Sequence, residues 1–132
     1  MDSRARVCLE HSYVWTAGLL ILHQIDSAYW QEWKLFGMDG EIQGFVLGNV
    51  VLILPFLYGL VLVRSTPRAA ARFGLVLSGI GVAAFAIHGW FLSQGHREFR
   101  VPVSLGILVA ALLASTLLGW ASIRTLREGN SG

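Results

Sequence analysis

Four long apolar segments separated by short polar stretches dominate the pattern of this chain. They cover about residues 12–30, 42–63, 73–92 and 101–123. The length of each segment is close to the roughly 20 residues that a helix needs to cross a hydrocarbon core of about 30 Å. A membrane β-barrel would instead show alternating segments of about ten residues. The pattern therefore predicts an all-α, integral membrane four-helix bundle that forms a single domain over residues 1–132.

Composition and the placement of basic residues indicate the surroundings of the bundle. The chain is 55% hydrophobic and 14% charged, too few charges to cover a water-facing surface, so we expect a lipid bilayer as its partner. Seven basic residues fall on the side of the termini and the middle connection, namely Arg4, Arg6, Arg64, Arg68, Arg72, Arg124 and Arg127. The other side has three, Lys34, Arg97 and Arg100. This asymmetry predicts cytoplasmic termini and a multi-pass protein of the inner (plasma) membrane, and the scattered charges predict no nucleic-acid partner.

Small residues recur at intervals mostly of four in the last three segments. The stripes begin with Gly40, Gly44 and Gly48, and continue with Gly74, Ser78, Gly81, Gly106, Ala110, Ala111, Ala114, Ser115 and Gly119. A stripe of this kind lies on one helix face and lets two backbones approach closely in lipid. Packing within the bundle is the favoured interpretation, and a homodimer through these Gly/Ala stripes is the alternative.

Polar residues interrupt the first apolar segment at His23, Gln24 and Asp26. An ionisable side chain costs about 2.5–3.5 kcal/mol at the centre of a spanning helix, so such a cluster needs a compensating role. His23 and Asp26 are three residues apart and share one helix face. Buried ionisable groups in spans usually mark function, although a structural ion pair is the alternative.

Further polar residues lie at the same depth as this cluster in the predicted spans. His23, Asn49 and His88 lie at similar distances from the outer ends of their segments, and Trp30, Trp33, Glu32, Glu41 and Trp90 lie above them. We therefore expect a polar and aromatic pocket that opens outward. The candidate catalytic residues are His23, Asp26 and Glu32, and the candidate ligand-binding residues are Trp30, Trp33, Glu41, Asn49, His88 and Trp90. As alternatives, the tryptophans could form an interfacial belt and Asn49 could join two helices.

The run from His23 to Trp33, followed by Leu35-Phe36-Gly37 and Gly40-Glu41-Ile42-Gln43, resembles the signature of a small bacterial membrane family of unknown function with H-x-x-D/E and W-x-E-W patterns. The chain is also loosely similar to membrane proteins named for a His-x-x-Glu-Glu motif, but the tandem acid pair is missing after His23. The closer resemblance covers about residues 20–63. It implies a four-span architecture with an undefined activity and no named substrate or cofactor.

Three classes of function fit these residues. The first is proton-transfer catalysis on, or binding of, a small lipophilic molecule. Asp26 or Glu32 would be the proton donor, and His23 would be the base or the group that sets the carboxyl pKa. The second is a metal- or haem-binding protein, in which His23, Asp26 and His88 form a two-histidine, one-carboxylate set or the two histidines ligate haem. No His-x3-His or Glu-x-x-His pair occurs, so no metal ligand is assigned. The third is a non-catalytic carrier or accessory subunit.

Overall fold

The computed structural model describes residues 3–37, 40–95 and 101–128. Within these ranges it contains four long helices and one short 3₁₀ turn. They are α1 (Ser3–Trp30), the 3₁₀ turn (Glu32–Lys34), α2 (Glu41–Ser65), α3 (Pro67–Ser93) and α4 (Pro102–Glu128). The predicted all-α fold with four helices is confirmed, and each helix begins or ends somewhat outside the apolar segment that predicted it.

Helix boundaries follow from a few residues with restricted or unusual backbone conformations. Pro67 and Pro102 occupy the first positions of α3 and α4, where the fixed φ of proline suits a helix and its missing N–H costs nothing. Thr66 leaves the helical path with φ −133°, so α2 and α3 are joined by this one residue. Gly40 precedes α2 with φ 89°, a left-handed conformation that glycine adopts without steric cost.

The helices form a ring in which each packs against its neighbours. α4 has its closest packing with α3 and α1, while α2 packs against α3 and, less extensively, α1. The centre is filled by side chains such as Leu9, Tyr13, Leu77 and Leu118, all without solvent exposure. The fold is therefore a four-helix bundle around one apolar core.

Small residues let α3 and α4 approach closely. A Cβ added to Gly81 would lie 2.9 Å from the Cβ of Ser115, and one added to Gly119 would lie 2.7 Å from the Oγ of Ser78. The Ser78 hydroxyl donates to the Ser115 carbonyl oxygen at 2.7 Å across this contact. The stripe Gly74–Ser78–Gly81 of α3 and the stripe Ala111–Ser115–Gly119 of α4 thus lie at a contact within the bundle, whereas Gly106 at the start of the other α4 stripe is exposed. A homodimer stays a prediction.

Three of the helices are long and apolar enough to cross a membrane, namely α2, α3 and α4. α1 has 28 residues but is not among them in the described part of the chain, because it carries the whole polar cluster and charged residues in its first turns. Large apolar side chains remain exposed on the outer faces of the helices, including Leu47, Val51 and Val61 of α2. Such extended apolar surface fits acyl chains, so this is a multi-pass membrane protein by helix length and hydropathy.

Candidate functional site

Three buried ionisable side chains from separate elements meet near the end of the bundle where the 3₁₀ turn lies. His23 of α1, Glu32 of the 3₁₀ turn and His88 of α3 are 4%, 3% and 4% exposed. One ring nitrogen or carboxylate oxygen from each lies within 4.8 Å of the others. We call these three residues the His–Glu–His group.

The chain reversal after α1 brings Glu32 into the bundle. Gln31 adopts a left-handed conformation with φ 54° and ψ 41°, which ends α1 and turns the backbone inward. The following 3₁₀ turn is closed by hydrogen bonds from the amide of Lys34 to the Gln31 carbonyl at 3.0 Å and from the amide of Leu35 to the Glu32 carbonyl at 2.9 Å. Glu32 and Trp33 are consequently both buried.

Glu32 and His88 form a buried, hydrogen-bonded pair. The Nε2 atom of His88 lies 3.1 Å from Oε2 and 3.3 Å from Oε1 of Glu32. The Nδ1 atom of His88 lies 2.7 Å from the Ala84 carbonyl oxygen, which can only accept, so Nδ1 carries a hydrogen. If Nε2 also donates to the carboxylate, the ring is an imidazolium and the contact is an ion pair.

Two further side chains complete the surroundings of Glu32. Ser27 donates its hydroxyl to Oε2 of Glu32 at 2.7 Å. The His23 ring stands edge-on to the His88 ring, with centroids 4.7 Å apart and an interplanar angle of 81°. Burial alone would raise the pKa of the Glu32 carboxyl, but hydrogen bonds with His88 and Ser27 outweigh burial and hold the pKa below its ordinary value of 4.5. Glu32 is therefore a carboxylate at neutral pH.

The His–Glu–His group forms one wall of a cavity of about 260 Å³ between α1, α2 and α3. Its other walls are largely apolar and include Phe36, Phe45, Leu52 and Ile87. Gly48 also lines the cavity, and a Cβ placed there would meet nothing within 4 Å. The space is large enough for a small organic molecule whose polar end meets the ionisable group.

Five of the candidate site residues line this cavity: His23, Glu32, Trp33, Asn49 and His88. The other four do not. Asp26 is half-buried, and the described residues include no hydrogen bond between it and His23. Trp30, Glu41 and Trp90 are exposed. The catalytic or ligand-binding roles of all nine residues stay predictions.

Two polar residues that the sequence interpretation did not place in the site also line the cavity, Gln24 and Ser27. Ser27 lies four residues after His23, so helical spacing alone puts both on one face. That spacing was the signal available for Ser27. Gln24 belongs to the polar cluster that singled out this segment.

The His–Glu–His group has the composition of a two-histidine, one-carboxylate metal site. Its carboxylate is Glu32, whereas the sequence interpretation considered Asp26 for this position. The hydrogen bond from His88 Nδ1 to Ala84 would leave Nε2 to face an ion, as is usual for metal-bound histidines. The edge-on contact of the two imidazole rings leaves no room between them for a haem macrocycle.

Comparison with known proteins identifies the family of the chain but no relative of known activity. Neither the curated proteins nor the solved structures contain a match. A family described as "Family of unknown function (DUF6713)" matches residues 9–125, which include α2, α3, the 3₁₀ turn and all members of the His–Glu–His group. The chain therefore belongs to this family of unknown function, DUF6713.

Proposed function

We propose that all four helices cross the inner membrane, with both termini and the α2–α3 turn on the cytoplasmic side. For α1, the least apolar of the four helices, the distribution of polar side chains supports a membrane-spanning position. Its Ser12, Thr16 and His23 are buried within the bundle, while Trp15 and Ile25 are 64% and 62% exposed. A helix with polar groups inside and apolar groups outside is suited to a position among membrane helices. The excess of basic residues on one side supports the orientation.

We propose further that the cavity binds a small lipophilic molecule and that the Glu32–His88 pair exchanges a proton with it. The observation that carries this proposal is the location of a buried, hydrogen-bonded carboxylate and imidazole on the wall of an otherwise largely apolar cavity. A carboxylate held by His88 and Ser27 can accept a proton, and an imidazolium beside it can return one. A carrier without catalysis would need the same cavity but not the ionisable pair.

A change at Gly48 tests whether the cavity holds a ligand. Gly48 lines the cavity and is exposed, and its added Cβ would meet nothing within 4 Å, so Gly48→Leu adds a bulky side chain at the cavity lining. Gly106→Leu is the matched control, because Gly106 is exposed on α4 and its Cβ would also meet nothing within 4 Å. We expect mass spectrometry of extracts from the purified proteins to show a small molecule retained by the wild type and by Gly106→Leu but lost from Gly48→Leu. Identical extracts from all three proteins would overturn the binding proposal.

The proton-transfer step has its own test. Glu32→Gln keeps the shape of the side chain but removes the carboxylate base, so the extracted molecule should still bind while its conversion stops. Conversion at the wild-type rate by this variant would leave ligand binding in place and exclude Glu32 as the proton acceptor. Asp26→Asn is compared in the same assay, since Asp26 is the other candidate carboxyl.

A metal site is the second candidate function, favoured by the convergence of three ligand atoms within 4.8 Å. Histidine nitrogen with one carboxylate suits divalent transition metals such as iron or zinc. Elemental analysis should then find about one ion per chain in the wild type and in His11→Gln, whose histidine is exposed, but not in His23→Gln or His88→Gln. If one ion per chain is found with this pattern, metal binding replaces direct proton exchange by Glu32 and His88 as the proposed function. Equal metal content in all four proteins would exclude the site.

A further inference from the structure

Two residues that line the cavity each carry a polar side-chain atom with no hydrogen-bond partner among the described residues. These atoms are the indole N–H of Trp33 and the amide oxygen Oδ1 of Asn49, both fully buried. Trp33 as a whole is 6% exposed. Buried polar groups are nearly always paired, so an unpaired donor and an unpaired acceptor on residues that line one cavity are candidates for pairing with a bound molecule.

Both side chains are held in place by other contacts. The Nδ2 atom of Asn49 donates to the Phe45 carbonyl oxygen at 2.9 Å, which directs Oδ1 away from the helix backbone. The Trp33 ring packs against the Phe45 ring with centroids 5.2 Å apart. The donor and the acceptor therefore form part of a preorganised wall.

An apolar groove of about 380 Å³ between α1 and α2 adjoins the cavity and shares Gln24 and Asn49 with it. Its walls include Ile25 and Val46, which are 62% and 52% exposed at the outer surface of the bundle. In a bilayer this surface faces the acyl chains. The groove thus gives the apolar part of a ligand a place that is continuous with the polar atoms of the cavity.

We infer that the ligand is a membrane-soluble alcohol or phenol, whose hydroxyl accepts from Trp33 and donates to Asn49 while its apolar tail lies in the α1–α2 groove. This inference rests on the proposed binding function and names the class of molecule bound. A hydroxyl is the smallest group that both donates and accepts. A ketone or an ether accepts only, an ammonium donates only, and a carboxylate cannot donate and would add a second negative charge near Glu32.

The test measures fluorescence quenching of Trp33 in the full-length protein in lipid nanodiscs. The other four tryptophans are exposed and are replaced by phenylalanine, at positions Trp15, Trp30, Trp90 and Trp120. The probes are 3-bromo-5-octylphenol and its methyl ether, which differ in the ability to donate a hydrogen bond. A protein that retains Trp90 instead of Trp33 reports quenching by probe dissolved in the lipid.

We expect the phenol to bind about tenfold more tightly than the ether, because the ether cannot donate the hydrogen bond to Asn49 and one buried hydrogen bond is lost. Asn49→Leu should reduce the affinity for the phenol to that for the ether. Equal binding of both probes, or a preference that Asn49→Leu leaves unchanged, would overturn the alcohol inference while the binding function stands. If neither the phenol nor the ether quenches Trp33 more than Trp90, the binding function itself is overturned.

The groove is tested in the same assay by the rate of quenching. Val46→Phe places a larger side chain in the groove, and Leu117→Phe makes the same kind of change at an exposed position of α4. We expect slower or weaker quenching by the phenol only in Val46→Phe. Equal rates in the two variants would show that the tail does not occupy the groove.

Discussion

Separate and joint removal of Glu32 and His88 should show that the two side chains act as one energetic unit. The perturbations are Glu32→Leu, His88→Leu and the double substitution. Each single change leaves one member of the pair buried without its main partner, because both side chains are at most 5% exposed. The double change leaves neither.

The structure sets the expected magnitudes. Removing one partner of a buried ion pair costs about 3–5 kcal/mol, whereas replacing both by apolar side chains is often neutral or stabilising. In the variants without Glu32, Ser27 loses its acceptor but can rotate to the backbone carbonyl four residues earlier, which limits that cost. We therefore expect each single variant to lose about 3–5 kcal/mol of unfolding free energy and the double variant to stay within about 2 kcal/mol of the wild type.

The assay is reversible unfolding of the full-length protein in bicelles, with the free energy of unfolding measured for the wild type and the three variants. Arg64→Leu is a control, because its ion pair with Glu10 at 2.7 Å also joins α1 to α2 but is exposed. That control should change the free energy much less than either buried change. Additive losses in the double variant would refute the conclusion that Glu32 and His88 form one coupled pair.

Three other outcomes follow from the same structure. Folding lowers the pKa of Glu32 from its ordinary value of 4.5, so its stabilising contribution is complete above pH 4.5 and should be lost as the pH falls through the folded-state pKa. Glu32→Gln should flatten this part of a titration of the unfolding free energy against pH. An unchanged titration would contradict the lowered pKa of Glu32. Gly81→Ala places a Cβ 2.9 Å from that of Ser115 and should lower the unfolding free energy by about 1–3 kcal/mol through overpacking; unchanged stability would show that α3 and α4 can separate freely. Cysteine at exposed Gln94 should react with an impermeant reagent from outside intact cells while cysteine at exposed Arg68 should not, and the reverse pattern would invert the proposed orientation.

The helices were predictable because segments of about 20 apolar residues have few alternatives in a membrane protein. The start of α1 was not, since the first apolar segment was expected at about residue 12 and the helix begins at Ser3. Its first turns contain charged residues, which hydropathy assigns to water. Ala5 and Leu9 are nevertheless buried in the bundle, so packing extends this helix beyond its apolar segment.

The position of Glu32 shows where sequence reasoning about the site ended. His23, Asn49 and His88 lie on helices, and their similar depths could be counted from the ends of apolar segments. Glu32 lies beyond the end of α1, where the direction of the chain depends on the left-handed conformation of Gln31. A glutamine in that conformation has no clear sequence signal. The sequence therefore identified Glu32 as a candidate but could not show that it, and not Asp26, contacts His88.

The location of the His–Glu–His group links the candidate chemistry to the assembly of the bundle. Its members come from α1, the turn after it and α3, so the contacts between Glu32 and His88 can form only when α1 is packed against the other helices. His23, together with Gln24 and Asp26, makes α1 less apolar than α2, α3 and α4. The burial of His23 in the bundle suits the membrane position that we propose for this helix. A change that loosens α1 should consequently expose the ionisable group and open the cavity together. Loss of function in such a variant must be measured per folded molecule before it is assigned to the site.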